Sequence, residues 1–360
     1  MDALEPRTLL LLGALAVGVA FGVISRYSSF CFRSAVLELL ARRVGFQVLA
    51  WGAAIAIAVT LTQSLVYSGY FDLTESVYLG SNLMWLPIIV GGALFGIGMI
   101  LARGCGARHM VLLAGGNLRS AVVLSVLGIT AYMTLRGILA IPRTTLEELG
   151  SLNIVSLGVA GQSLPDLFGW AEAGLLISGL LIVATGGIFY VRGAHKERLP
   201  SLLTGAAIGV LITGGWYVTG VLGFDDFDPV RTESLTFTAP VGNAIQYLMT
   251  YTGATADFGI VAVAGVIIGA FLVALLRGQM NLEAFETPHQ LLRYVFGGGL
   301  MGFGGVLALG CTVGAGLSGL STLSLGSIIA TFAIFGGALI GDILVRRDLT
   351  PRQAEVLPAE

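Results

Sequence analysis

An apolar helix ending in Gly-Cys is written twice in this chain, and that repetition constrains the fold more than any other feature. Leu94-Phe95-Gly96-Ile97-Gly98-Met99-Ile100-Leu101-Ala102-Arg103-Gly104-Cys105 recurs as Leu300-Met301-Gly302-Phe303-Gly304-Gly305-Val306-Leu307-Ala308-Leu309-Gly310-Cys311. The glycines Gly96, Gly98 and Gly104, the alanine and the Gly-Cys pair all shift by 206 positions. Two of only three cysteines therefore occupy equivalent points of an internal duplication. A duplicated membrane helix broken at a small polar motif is one way transporters build a central site between two halves.

Composition places that duplication in a bilayer. The chain is 56% hydrophobic and 11% charged, where a soluble domain carries about 25% charged residues. Apolar runs long enough to cross, or nearly so, lie at about 8–25, 46–68, 86–103, 119–140, 172–191, 201–218, 257–276, 293–310 and 325–345, a hydrocarbon core needing about 20 residues per helix. Four further apolar pieces, about 29–41, 106–115, 240–252 and 312–322, are too short. They read as re-entrant or broken helices, tolerated at membrane depth only inside protein or along a cavity. The expected fold is all-α: a polytopic membrane protein of about nine transmembrane helices plus four short re-entrant helices.

The first run is flanked by Asp2, Glu5 and Arg7 and precedes no small-residue cleavage site, so it reads as a retained span rather than a secretory signal. A net charge of −2 without a basic stripe excludes nucleic acid as a partner. Three cysteines without a C-x-x-C pair supply no disulfide framework and no zinc or haem motif. No cofactor is expected.

The repeat reaches further, since Gly18 and Gly22 match Gly205 and Gly209 at an offset of 187. These small-residue spacings read as helix-packing positions. The chain then divides into a first membrane repeat at 1–145, a connecting loop and linking helix at 146–198, and a second repeat with a short tail at 199–360. Four spans per half with one left over make the second half inverted. Arg26, Arg33, Arg42, Arg43, Arg103, Arg108, Arg119, Arg192, Lys196, Arg198, Arg277, Arg293, Arg346, Arg347 and Arg352 fall on one side of this arrangement. Arg7, Arg143 and Arg231 fall on the other, with Arg136 near the end of a span. The positive-inside bias makes the crowded side cytoplasmic, with the N-terminus outside and the C-terminus inside. The acidic stretch Phe224-Asp225-Asp226-Phe227-Asp228 reads as solvated outer surface.

Cys31, Cys105 and Cys311 each precede a short helix, where unpaired N–H groups and the helix dipole favour an anion. Gly104, Gly106 and Gly310 let the backbone turn sharply and approach a ligand, and Thr312 follows the third cysteine. A neutral thiol is a weak donor, and weak donors in series hold a passing ion loosely enough for release. A soft, sulfur-containing anion suits them. Cysteine is also an ordinary small core residue; duplication argues against that for Cys105 and Cys311, whereas Cys31 matches Val218 at best. Arg103, Arg108 and His109 crowd the first Gly-Cys, where an arginine either attracts an anion or snorkels to the surface. Asn117 reads as a helix cap or a neighbour of the site. Glu38 lies in a short helix and Asp342 close to an arginine-rich exit, so the acidic relay of a proton-coupled carrier is not legible and facilitated passage is favoured.

Ser29-Phe30-Cys31-Phe32-Arg33, Arg103-Gly104-Cys105 running into Gly115-Gly116-Asn117-Leu118-Arg119-Ser120, and Gly310-Cys311-Thr312-Val313-Gly314-Ala315-Gly316-Leu317-Ser318-Gly319-Leu320-Ser321 resemble the YeeE/YedE family of bacterial inner-membrane sulfur-transport proteins over nearly the whole chain. The resemblance implies an hourglass-shaped importer of thiosulfate with nine spans plus short helices. Its three pore cysteines map onto Cys31, Cys105 and Cys311. It further implies a small cytoplasmic TusA-like sulfur carrier as partner. The loop Gly106-Ala107-Arg108-His109 varies within the family, and some relatives are associated with selenium, leaving a permease for another sulfur or selenium oxyanion as the alternative. A membrane thiol sulfurtransferase or oxidoreductase needs an activated thiolate and a resolving partner. No second cysteine adjoins any of the three, so the chain reads as a transporter and not an enzyme.

Overall fold

Uncharged apolar runs become helices in lipid because only internal hydrogen bonding satisfies the backbone there. A computed structural model describes residues 5–154, 156, 158, 161–169, 172–191, 195–225 and 230–347, with the backbone alone at 191, 195–198 and 347. Arg192, Arg352 and the Asp226-Phe227-Asp228 part of the acidic stretch lie outside the described residues. In chain order the elements are α1 (Pro6–Ser28), α2 (Phe32–Leu40), α3 (Phe46–Tyr67), β1 (Asn82–Leu83), α4 (Trp85–Leu101), α5 (Gly106–Leu113), α6 (Leu118–Arg136), α7 (Ala140–Leu149), β2 (Leu152–Asn153), α8 (Leu164–Phe168), α9 (Ala173–Val191), α10 (His195–Tyr217), α11 (Thr238–Met249), α12 (Phe258–Leu276), α13 (Pro288–Leu307) and α14 (Leu325–Arg347). Two π-helical turns, Val218–Leu222 and Gly314–Gly319, and a 3-10 turn, Tyr251–Gly253, complete the list. Among the described residues, eight helical stretches are long and apolar enough to cross a membrane. The ninth expected span is α13, whose Gln290, Arg293 and many glycines dilute its apolar character.

The packing is reciprocal. α1 packs against α12 and α10 against α3; α4 packs against α14 and α6 against α13; α4 and α13 also pack together. Glycine makes these approaches. A Cβ on Gly18 or Gly22 would strike the Ala262 or Val266 carbonyl of α12, and one on Gly205 or Gly209 the Ala50 or Ala54 carbonyl of α3. The spacings read from sequence as packing positions do pack, on matching partners.

The connecting segments are equally paired. The link between α5 and α6 bridges the α12–α13 loop, Asn117 beside Glu283, while the segment before α14 bridges the one before α8, Ser324 beside Ser163. β1 and β2 join antiparallel, with Asn82 opposite Asn153 and Leu83 opposite Leu152.

Two elements differ from expectation. The fourth span ends at Arg136, because Gly137 is extended, and an additional helix, α7, follows with no buried residue. The expected division at residue 145 falls inside it. The fourth short piece is a π turn rather than an α-helix: Ser318 N–H reaches five residues back to the Val313 carbonyl at 3.0 Å. Gly314, Gly316 and Gly319 tolerate that wide turn, and the Ser318 hydroxyl pins it by donating to the Leu235 carbonyl at 2.6 Å.

Candidate functional site

Each cysteine follows the same elbow. Ser29, Arg103 and Leu309, two residues before Cys31, Cys105 and Cys311, have φ of 53°, 61° and 58°, the left-handed region that costs a non-glycine residue roughly 1–2 kcal/mol. At the ends of α4 and α13 this residue closes the same capping motif. Gly104 N–H donates to the Met99 carbonyl at 3.0 Å, and Gly310 N–H to the Gly305 carbonyl at 2.8 Å. The sharp turn expected of the glycines is thus made by the residue before them. The glycine supplies closeness instead: a Cβ on Gly310 would lie 2.8 Å from the Ala315 nitrogen.

Beyond the elbows, Cys31 and Cys105 are the residues immediately preceding α2 and α5. Cys311 begins the turn into Gly314–Gly319, and its sulfur accepts the Gly314 N–H at 3.3 Å. The three thiols are free and 4%, 2% and 1% exposed. Two of them come together: the Cys31 side chain interacts with that of Cys105, and Cys105 with that of Thr312, the residue after Cys311. Three helix starts from two halves of the chain therefore meet at one point.

Polar side chains hold this junction. Gln47, buried at the start of α3, accepts the Cys31 N–H and donates to the Ser29 carbonyl, both at 3.0 Å. Glu38 caps α3 by accepting Gln47 and Val48 N–H at 3.2 and 2.9 Å. Gln63 donates to the Ser321 carbonyl and Trp216 Nε1 to the Ser321 hydroxyl, each at 2.9 Å, fixing the Cys311 turn to α3 and α10.

One approach to the junction is basic. Arg33 and Arg108 are the charges acting on Cys31, and Arg103 and Asp342 act on Arg33. Arg103 itself is exposed at its elbow. His109 is buried, with Nδ1 3.0 Å from the Ser120 hydroxyl. Asn117 caps α6 by accepting the Ser120 N–H at 2.9 Å and donates to Glu283. The eight residues of α5 separate it from Cys105 by about 12 Å, so the structure does not bring Asn117 to the thiols.

The opposite approach was not legible in sequence. Buried Tyr78, from the loop after α3, hydrogen-bonds Thr236 and acts on Cys311 and Glu233. Its hydroxyl lies over the Cys311 turn, 3.3 Å from where a Gly314 Cβ would stand. Half-buried Glu233, in the loop before α11, has its carboxyl pushed up to about 7 by desolvation and then by Asp257, against Arg231. Neither residue carries a local pattern; only the loop's path places them here. The residue preceding α11 is Phe237, as Cys31 precedes α2, while Val218 begins a π turn.

A helical bundle of this hydropathy with buried thiols at paired broken helices defines a polytopic membrane protein of the transporter class. The profile of the sulphur transport family matches residues 27–340, and the chain belongs to that family. It is 27% identical to the thiosulfate transporter TsuA of Spirochaeta thermophila over 92% of this chain and 98% of that protein. It is 24% identical to the thiosulfate transporter TsuA of Escherichia coli strain K12, over 86% and 87% of the two chains.

Proposed function

We propose that this protein imports thiosulfate across a bacterial inner membrane, the anion passing Cys311, Cys105 and Cys31 in turn on weak S–H hydrogen bonds with no covalent intermediate. The observation that carries the reading is the contact of Cys31 with Cys105 and of Cys105 with Thr312 at the starts of broken helices. A thiol donor lets an anion leave as readily as it enters. Gly104, Gly106, Gly310 and Thr312 shape the passage, and Arg33, Arg103 and Arg108 draw the anion towards the inner side. The halves 1–145 and 199–360 are inverted repeats about the linking helix, with the N-terminus periplasmic and the C-terminus cytoplasmic. A TusA-like carrier receives the sulfur inside. The reciprocal packing of α1 on α12 and α10 on α3 supports this plan.

The test is uptake of sulfur-labelled thiosulfate by cells stripped of their own sulfate and thiosulfate importers. Cells expressing this chain take up label, and cells expressing Cys105→Ala at equal membrane abundance lose most of it. Equal uptake by parent and variant would remove the thiol passage. No uptake by the parent would remove the substrate.

A further inference from the structure

Three thiols are poor compensation for the water an anion sheds on entering a dry junction, because S–H is a weak donor. A stronger donor is carried by a ring packed against the two neighbours of Cys31. Trp51 of α3 is 5% exposed, and its indole N–H meets no acceptor among the described residues. Buried indoles ordinarily find one, as Trp216 does at Ser321.

The position of Trp51 is fixed by the residues on either side of Cys31. Phe30 stacks on it at 4.8 Å and 13°, and Phe32 meets it edge-on at 4.8 Å and 69°. On the other side, a Cβ on Gly316 would come within 3.7 Å of the indole Cζ3. Gly316 belongs to the π turn that Cys311 opens. The ring therefore spans from the neighbours of the first cysteine to the turn of the third. A buried donor without an acceptor carries an energetic cost that a fold tolerates when a ligand relieves it.

Resting on the transport reading above, we propose that Trp51 is a substrate-binding residue whose indole N–H donates to an oxygen of a small sulfur oxyanion as it passes between Cys31 and Cys311. The N–H takes the hard, oxygen end of the anion and the thiols its soft, sulfur end. An anion carrying both is favoured over one carrying either alone.

The experiment isolates one N–H. Trp51 is replaced with phenylalanine and, by stop-codon suppression, with benzothienylalanine, which keeps the ring and substitutes sulfur for N–H. Tryptophan restored by suppression is the reference. Labelled thiosulfate uptake is fitted for KM and maximal rate. Loss of a hydrogen bond to a charged group raises KM by about 10-fold or more; both replacements are expected to show this, with the reference at the parent value. An unchanged KM in the benzothienyl variant overturns the proposal, as does a fall in maximal rate alone, which marks a packing role. If the phenylalanine variant fails to reach the membrane, the benzothienyl variant still decides. Failure of the parent to transport thiosulfate sinks the transport reading itself; normal parent uptake with an unmoved KM sinks the role of Trp51 alone.

Discussion

A single sulfur atom tests whether the cysteines act through weak bonding. Replacing Cys311 by alanine removes a donor, so KM rises and uptake at low thiosulfate falls several-fold. Replacing it by serine installs a stronger donor at the same place. Serine is expected to lower KM and also the maximal rate, because tighter holding slows release. Opposite movements of KM in the two variants, fitted from uptake curves, are the signature; movement in the same direction contradicts weak holding. Glu233 bears on the same passage from the other side. Its carboxyl is pushed up to about 7, chiefly by desolvation. Below that pH it is neutral and the approach past Tyr78 and Asp257 carries one negative charge fewer; above it, the charge opposes an incoming anion. Uptake at low thiosulfate should therefore rise as pH falls through about 7, while Glu233→Gln should hold the acid-side rate at every pH. A variant that keeps the parent's pH profile removes Glu233 from the passage.

At the scale of elements, the elbow decides whether a cysteine reaches the junction. A Cβ on Gly310 would stand 2.8 Å from the Ala315 backbone nitrogen, and neither can yield without unwinding the turn that Ser318 and Gly314 hold. Gly310→Ala should cost about 1–3 kcal/mol, as overpacking does, and abolish uptake. Arg103→Gly, at φ 61°, relieves a left-handed residue and should be neutral or mildly stabilising in a detergent thermal-shift assay. The sequence foretold where the short helices start, because hydropathy lapses there and Gly-Cys repeats. It misassigned the turn itself: positive φ at Ser29, Arg103 and Leu309 comes from the capping geometry of the preceding helix, which no residue preference at those positions announces. Arg103 and Asn117 looked close to Cys105 in the chain, but the elbow sends one to the surface and α5 carries the other away. Trp51, Tyr78 and Gln47 were invisible for the converse reason. They reach the cysteines through tertiary packing alone, and an aromatic or amide in an apolar run reads as ordinary core.

The whole molecule sets two different faces against one buried junction. Arg33 and Arg108 act on Cys31, while Tyr78 and, beyond it, Glu233 flank Cys311. Asn117 with Glu283 closes the segment after Cys105, and Ser163 with Ser324 closes the segment after Cys311. If the two halves are inverted, these clasps lie on opposite sides of the membrane, and so do the routes to the two terminal cysteines. Each thiol is at most 4% exposed, so a bulky membrane-impermeant maleimide should leave all three unmodified at rest. During thiosulfate uptake the passage must open past Tyr78 on one side and past the arginines on the other. At saturating thiosulfate, variants that keep Cys105 and one of the other two cysteines are then expected to label asymmetrically, Cys311 in intact cells and Cys31 only in inside-out vesicles. Labelling of both from the same face would contradict inversion. Tyr78→Ala sharpens the test, because it removes the ring over the Cys311 turn and leaves the Cys31 side untouched. It should expose Cys311 to the outside reagent without substrate while Cys31 stays protected; equal exposure of both would mean that the fold had loosened rather than that an outer barrier had been removed.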